Sequence, residues 1–341
     1  MRICIVGAGA IGGLLGARLA LADHDVSVLA RGENLDAIRS NGLRLIEPGG
    51  SELVAKDLRA SADLADFGVQ DVIVLALKAH QIRDVAEQLA SLYNNSTVVI
   101  PIQNGVPWWF FQKFGGEHDG YRIKMLDPDG MLERCIPAER IVGSIAYPAA
   151  ERDGPGVIRL VEGDKFPVGE LDGARSDRVT EISHVLTDAG FKARVLTDIR
   201  QHLWIKAWGN LAMNPISALT GATLVEICRY PPSRALAARM MHEAAEVAER
   251  LGLHLRLSVE QRIDGAEKVG AHKTSMLQDV EAGRALEIDP LVGSFVELGQ
   301  VTGTPMPSTE TVYALVSLLN AQITGTIEAA QLVADSIRSA R

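Results

Sequence analysis

Cysteine is scarce in this 341-residue chain, at positions 4, 135 and 228 only. An odd, widely spaced set with no C-x-x-C and no H-E-x-x-H pattern encodes neither a zinc site nor a redox motif, so no metal is expected. Reduced thiols fit a cytoplasmic protein best. No apolar run reaches the roughly 18 residues of a membrane span. Residues 2–6 already read as a strand, which leaves no room for a signal peptide. Basic charge is in the minority, 34 Lys and Arg against 43 Asp and Glu, net −9. Binding along nucleic acid rests on neutralising many phosphates, so nucleic acid is an unsuitable partner, although a local pocket for one small anion is allowed. Repeats and low-complexity segments are absent. What remains is ordinary globular usage, 47% hydrophobic and 23% charged, and a length that suits about two domains.

The first half alternates short apolar strands with helical stretches. Strands are expected at 2–6, 25–29, 72–76 and 97–100, with helices at 14–21, 60–66 and 82–92. All-apolar strands separated by helices imply a parallel sheet buried on both faces. The expected fold is therefore α/β, a Rossmann-type doubly wound sheet followed by an all-helical domain. The division is drawn at 1–197 and 198–341, with a ligand cleft expected between the two parts. Residues 112–140 break the pattern and read as a hairpin-like excursion around Asp127-Pro128-Asp129-Gly130. That fragment superficially resembles a calcium loop, but the later acidic ligands are missing and a plain turn is expected. In the second half, Ser233 is expected to cap a helix over 234–251.

Gly7-Ala8-Gly9-Ala10-Ile11-Gly12 has the form G-x-G-x-x-G. It follows a strand and opens a helix, the context in which such a loop cradles a dinucleotide pyrophosphate. The alternative is a tight turn without a ligand. About 20 residues further on, the second strand ends at Arg31. An acid there would suit the ribose 2′-hydroxyl of NAD, whereas an arginine suits a 2′-phosphate, so the expected cofactor is NADP(H). Glu33 nearby weakens this reading, and a merely solvated arginine is its alternative.

A second constellation lies in a helical stretch, with Lys206, Asn210 and Asn214 spaced by four along one face. A lysine between Trp204 and Trp208 is expected to be desolvated, which lowers an ammonium pKa and favours proton transfer near neutrality. A snorkelling lysine with two capping asparagines is the alternative. Pro215 is expected to kink the helix. Gln103-Asn104-Gly105 follows a sheet strand, where such folds bind ligands. Lys78 follows another strand, either at the site or as an exposed loop lysine. Ser275 and Gln278 have capping-box spacing. Glu287 sits on an apolar face, as a site residue or a salt-bridged core carboxylate.

Taken in order, the glycine loop, Arg31, Lys78-x-x-Gln81, Gln103-Asn104-Gly105, Lys206-x-x-x-Asn210-x-x-x-Asn214-Pro215, Ser275-Met276-Leu277-Gln278-Asp279 and Glu287-Ile288-Asp289 resemble the ketopantoate reductase family (2-dehydropantoate 2-reductases). The resemblance implies NADPH-dependent reduction of a 2-oxo acid, 2-dehydropantoate to pantoate, in pantothenate biosynthesis. It implies Lys206 as general acid, with Glu287 as the other catalytic residue. Ser275, Asn104, Asn210 and Asn214 would then bind the substrate. Lys78, Gln81 and Asn104 would join Gly7, Ala8, Gly9, Ala10, Ile11, Gly12 and Arg31 at the cofactor. A homodimer through the C-terminal helices is implied as well. The departure is the segment from 108 to 140, longer and more aromatic than usual. All four tryptophans lie at 108, 109, 204 and 208, either in core packing or a dimer contact or in a reshaped substrate pocket. Two other readings stand beside this one: a reductase of another carbonyl or imine, and a non-catalytic NADP(H) sensor.

Overall fold

A computed structural model describes residues 1–327. The chain divides into two compact units. The first comprises Met1–Gln103, Pro107–Arg122 and Asp127–His202; the second comprises Asn104–Val106, Ile123–Leu126 and the chain from Leu203 onward. The part of the expected helical domain beyond residue 327 lies outside the described residues.

The first unit is built on a five-stranded sheet ordered β5-β2-β1-β6-β7. Its members are β1 (Arg2–Val6), β2 (Asp25–Leu29), β5 (Leu58–Ser61), β6 (Val72–Leu75) and β7 (Val98–Pro101), and every pairing is parallel. Apart from the edge strand β5, the strands are short, mostly apolar runs rich in Val and Ile that bury both faces, which is what an all-parallel sheet requires. Helices α1 (Ala10–Leu21) and α2 (Gly32–Asn41) follow β1 and β2. A second sheet, β4-β3-β10-β9, is formed by β3 (Leu43–Ile46), β4 (Glu52–Ala55), β9 (Ala149–Gly154) and β10 (Val157–Glu162). It packs on α1: a Cβ added at Gly13 would stand 2.6 Å from the Ile158 side chain. A small pair, β8 (Val142–Ser144) with β11 (Val168–Glu170), continues from β7 through a Val99–Ile141 bridge.

Several local expectations are corrected. Residues 60–66 are not a helix but the end of β5 followed by a 3₁₀ turn, Leu64–Phe67. The β3–β4 hairpin was not anticipated, although Glu47-Pro48-Gly49-Gly50 marks its turn, with positive φ at both glycines. Residues 112–140 contain no hairpin. They hold turns and one short helix, α4 (Met131–Cys135), which follows the single-turn α3 (Arg83–Ala86). Asp127, almost fully buried, accepts from Leu132 N–H at 3.1 Å and Glu133 N–H at 3.0 Å, so it starts α4 rather than holding a cation. Among the described residues no His, Cys, Asp and Glu group is arranged for a metal. Arg83 pairs with Asp127 and Asp129. Asp127→Ala would strand two helix-start donors and one ion pair, and should cost about 2 kcal/mol, read as a lowered urea midpoint at constant m.

The tryptophans belong to the core. Trp108, Trp109, Trp204 and Trp208 are all buried. Gly143 makes room for Trp109, Trp204 meets Phe295 edge-on at 4.9 Å, and Trp208 donates to Met241 O at 2.7 Å. Phe111 is packed edge-to-face with Phe110, Phe114 and Tyr121. Arg200 secures this segment by donating to the Phe110, Gln112 and Leu171 carbonyls, and burial pulls its pKa down to about 10. The aromatic run at 108–111 is thus packing.

After α5 (Asp177–Asp188), the second half is helical: α6 (Ile199–Thr220), α7 (Leu224–Arg229), α8 (Pro231–Arg250), α9 (Val259–Val269), α10 (Ser275–Glu281), α11 (Ser294–Thr302) and α12 (Pro307–Thr324). Helix α6 runs through Pro215 and ends only at Thr220, so the proline does not terminate it. Helix α8 starts earlier than expected, with Pro231 in its first turn, and Ser233 is not its cap. The Ser233 hydroxyl instead donates to Ile227 O and Tyr230 O. No helix among the described residues is long and apolar enough to cross a membrane.

Candidate active site

In the first unit the glycine loop joins β1 to α1. Gly7 has φ +111°, and a Cβ there would stand 2.8 Å from Leu77 and 3.0 Å from the Ala76 carbonyl. Gly12 is more constrained, because its Cβ would lie 2.0 Å from the Gly7 carbonyl oxygen. Gly9 is the opposite case: a Cβ there would meet nothing within 4 Å. Two glycines are therefore demanded by the protein, while the third leaves open space over the start of α1. That helix has no side-chain cap and no acid in its first turn. Its free N–H groups, at Ala10, Ile11 and Gly12, suit an anion. The residues fit a pyrophosphate.

Arg31 stands exposed as the N-cap residue of α2, directly after β2. Asn34, which the sequence reading missed, ties that helix to the loop by donating to Ala8 O at 3.1 Å and accepting from Gly156 N–H at 2.8 Å. Its signal was slight: one asparagine in the first turn after the Arg31 position. After β6, Gln81 accepts from the Lys78 N–H at 3.3 Å, so its side chain shapes the turn that presents Lys78.

The second unit brings together groups far apart in sequence. Lys206, on α6, donates to Asn104 Oδ1 at 2.8 Å. Burial pulls its pKa down from the ordinary lysine value to about 8, and the Glu287 carboxylate opposes the shift. Lysine, asparagine and glutamate thus form one electrostatic group. The snorkelling alternative fails, because a snorkelling ammonium stays in bulk water. One turn along α6 stands half-buried Asn210, and a further turn on Asn214 is buried and donates to Ser275 Oγ at 3.5 Å. Ser275 is not a cap. Thr274 takes that role by accepting from Leu277 N–H, which leaves the Ser275 hydroxyl exposed. Asn104, expected at both cofactor and substrate, belongs to the second unit through Lys206. Together this set offers a proton donor of moderate acidity, a carboxylate beside it, and amide and hydroxyl groups for a small polar ligand.

The family model "Ketopantoate reductase PanE/ApbA" matches residues 3–173, and "Ketopantoate reductase PanE/ApbA C terminal" matches 198–320. The chain is 49% identical to the 2-dehydropantoate 2-reductase of Mesorhizobium japonicum, covering 94% of this chain and 98% of that one. It is 31% identical to the enzyme of the same name from Archaeoglobus fulgidus, covering 92% and 96%. Among solved structures, a candidate ketopantoate reductase from Ralstonia solanacearum superposes with a TM-score of 0.90 at 41% identity, covering 95% and 98%. A Rossmann-type unit, a helical second unit, a polar group assembled around Lys206 and these matches lead to one assignment: the chain belongs to the ketopantoate reductase family.

Proposed function

We propose that this chain reduces 2-dehydropantoate to pantoate with NADPH, the step that the names of its relatives describe, in pantothenate biosynthesis. The observation that carries the reading is the 2.8 Å bond between Lys206 and Asn104, with Glu287 beside the same ammonium. When bound, NADPH supplies a hydride to the substrate's C2 carbon. Lys206 gives the proton that turns the C2 oxygen into a hydroxyl. As a cation it also stabilises negative charge on that oxygen before the proton moves. With a pKa near 8 the ammonium dominates at neutral pH, yet it is a far better acid than an exposed lysine. Asn104 holds it in line. Glu287 accepts a hydrogen bond from a substrate hydroxyl and keeps the site's charge balanced. Asn210, Asn214 and Ser275 orient the substrate through its carboxylate and hydroxyl groups.

In the cofactor site the backbone of Gly7 to Gly12 receives the pyrophosphate. Arg31, on the cap of α2, pairs with the 2′-phosphate, and Lys78 and Gln81 complete the binding surface. Arg31→Ala should raise the KM for NADPH by 10-fold or more, about 1.4 kcal/mol per decade, while leaving that for NADH nearly unchanged; equal effects on both would remove the assignment. The enzyme is proposed to act in the cytoplasm as a homodimer. Exposed Leu315 and Leu318 on α12 support that contact, and sedimentation in the analytical ultracentrifuge reads the mass. The activity itself is tested by following NADPH absorbance with 2-dehydropantoate against a panel of other 2-oxo acids and imines. A panel member with a higher kcat/KM than 2-dehydropantoate would transfer the assignment to that substrate.

A further inference from the structure

Between Glu287 and α11 the chain makes a π-helical turn, Asp289–Gly293. Such turns are rare and often mark functional places. Here the consequence is specific. The Ser294 N–H reaches back five residues to the Asp289 carbonyl, where an α-helix would have used the carbonyl of Pro290. The Pro290 carbonyl accepts instead from Val106 N–H at 2.9 Å and from the Ser294 hydroxyl at 3.0 Å. Gly105 lies so close that an added Cβ would stand 2.0 Å from that same oxygen, and its φ is +82°. The residue held just ahead of this contact is Asn104, whose Oδ1 binds Lys206. The turn is itself fastened, because the Tyr313 hydroxyl donates to Asp289 Oδ1 at 3.1 Å.

We propose that the π-turn Asp289–Gly293 is the positioning element for the Lys206 ammonium, acting through the Pro290 carbonyl, the Gly105 backbone and Asn104. An α-helical turn would spend the Pro290 carbonyl inside its own ladder. The π-turn releases it sideways, and only glycine at 105 lets the next strand-end loop come close enough to use it. Glu287 precedes the same turn, so one irregular element places both partners of Lys206. This inference rests on Lys206 being the proton donor, and its test separates the two claims.

The experiment measures acetylation of Lys206 by acetic anhydride, followed by peptide mass spectrometry, alongside kcat for the full-length enzyme. Gly105→Ala should speed Lys206 labelling at least fivefold, as should Asn104→Ala, with the labelling of Lys78 unchanged. In kcat the two substitutions should be non-additive: Gly105→Ala should cost 10-fold or more alone and less than threefold on the Asn104→Ala background. Ser294→Ala, which removes only a hydroxyl, should move labelling in the same direction by two- to threefold and keeps the test open if Gly105→Ala fails to fold. Wild-type labelling rates in Gly105→Ala and Ser294→Ala, or additive losses in the double variant, would overturn the proposal. If labelling responds as expected while Lys206→Ala retains wild-type kcat, the positioning stands and the catalytic role of Lys206 falls.

Discussion

Lys206→Ala should lower kcat by about 10²–10⁴, the usual worth of a placed general acid, while the KM for NADPH changes little. The side chain lies on α6, whereas the glycine loop lies between β1 and α1. The pH dependence follows from the same group. Burial has lowered its pKa to about 8, so the ammonium is complete below that value and is lost above it. The acid is needed in its protonated form, and kcat in the direction of reduction should therefore be level towards neutrality and fall as pH rises through about 8. In the alanine variant this limb should vanish, leaving a flat low rate. A stopped-flow or steady-state pH series on both enzymes checks the point; an unchanged wild-type rate at pH 9.5 would exclude a lysine donor of this acidity.

The second large effect is expected in the glycine loop, where two single-methyl substitutions should fail for different reasons. In Gly12→Ala the new carbon would stand 2.0 Å from the Gly7 carbonyl and 2.8 Å from Ala76 Cβ. Helix α1 must then leave its sheet, at a cost of about 3 kcal/mol or more, seen as a large drop in Tm or as insoluble protein. In Gly9→Ala nothing lies within 4 Å and φ is −76°, which alanine adopts without strain. The fold should keep its Tm, but the methyl group occupies the approach to the helix N-terminus, and NADPH affinity should drop by about 10- to 100-fold. Thermal melts with and without NADPH separate the cases: Gly9→Ala should lose the cofactor-induced rise in Tm and nothing else. A normal rise in that variant would mean that the pyrophosphate does not lie over Gly9.

The parts of this site that were legible in the sequence are those where local geometry and chemistry coincide. A strand, three glycines and a helix over residues 2–21 can be read together because their order is local and Gly12 answers to the Gly7 carbonyl five positions back, although what constrains Gly7 is the distant Ala76-Leu77 pair. Spacing by four put Lys206, Asn210 and Asn214 on one helix face, and α6 keeps them there through Pro215. Where several residues could serve one purpose, the sequence did not choose. Thr274 and Ser275 both suit a helix start, and only the chain's entry angle into α10 gave the cap to Thr274 and freed Ser275 for Asn214. Asp127 was expected in a plain turn, and burial with two amide donors showed that it also starts a helix. The tryptophans could have lined a pocket, and packing against Gly143, Phe295 and Met241 placed them in the core.

The sequence by itself therefore determined the fold class, the glycine loop and the candidate proton donor, all of which depend on short-range periodicity and steric demand. The tertiary structure decided what surrounds that donor. Lys206 and Asn104 are 102 positions apart, and neither residue carries a local mark of the other. Their meeting depends on a carbonyl at Pro290 turned out of its helix and on a glycine small enough to meet it. Hydrogen bonds of this kind act over about 3 Å in space, whatever the distance along the chain, so they arise only when the whole second unit has closed around them.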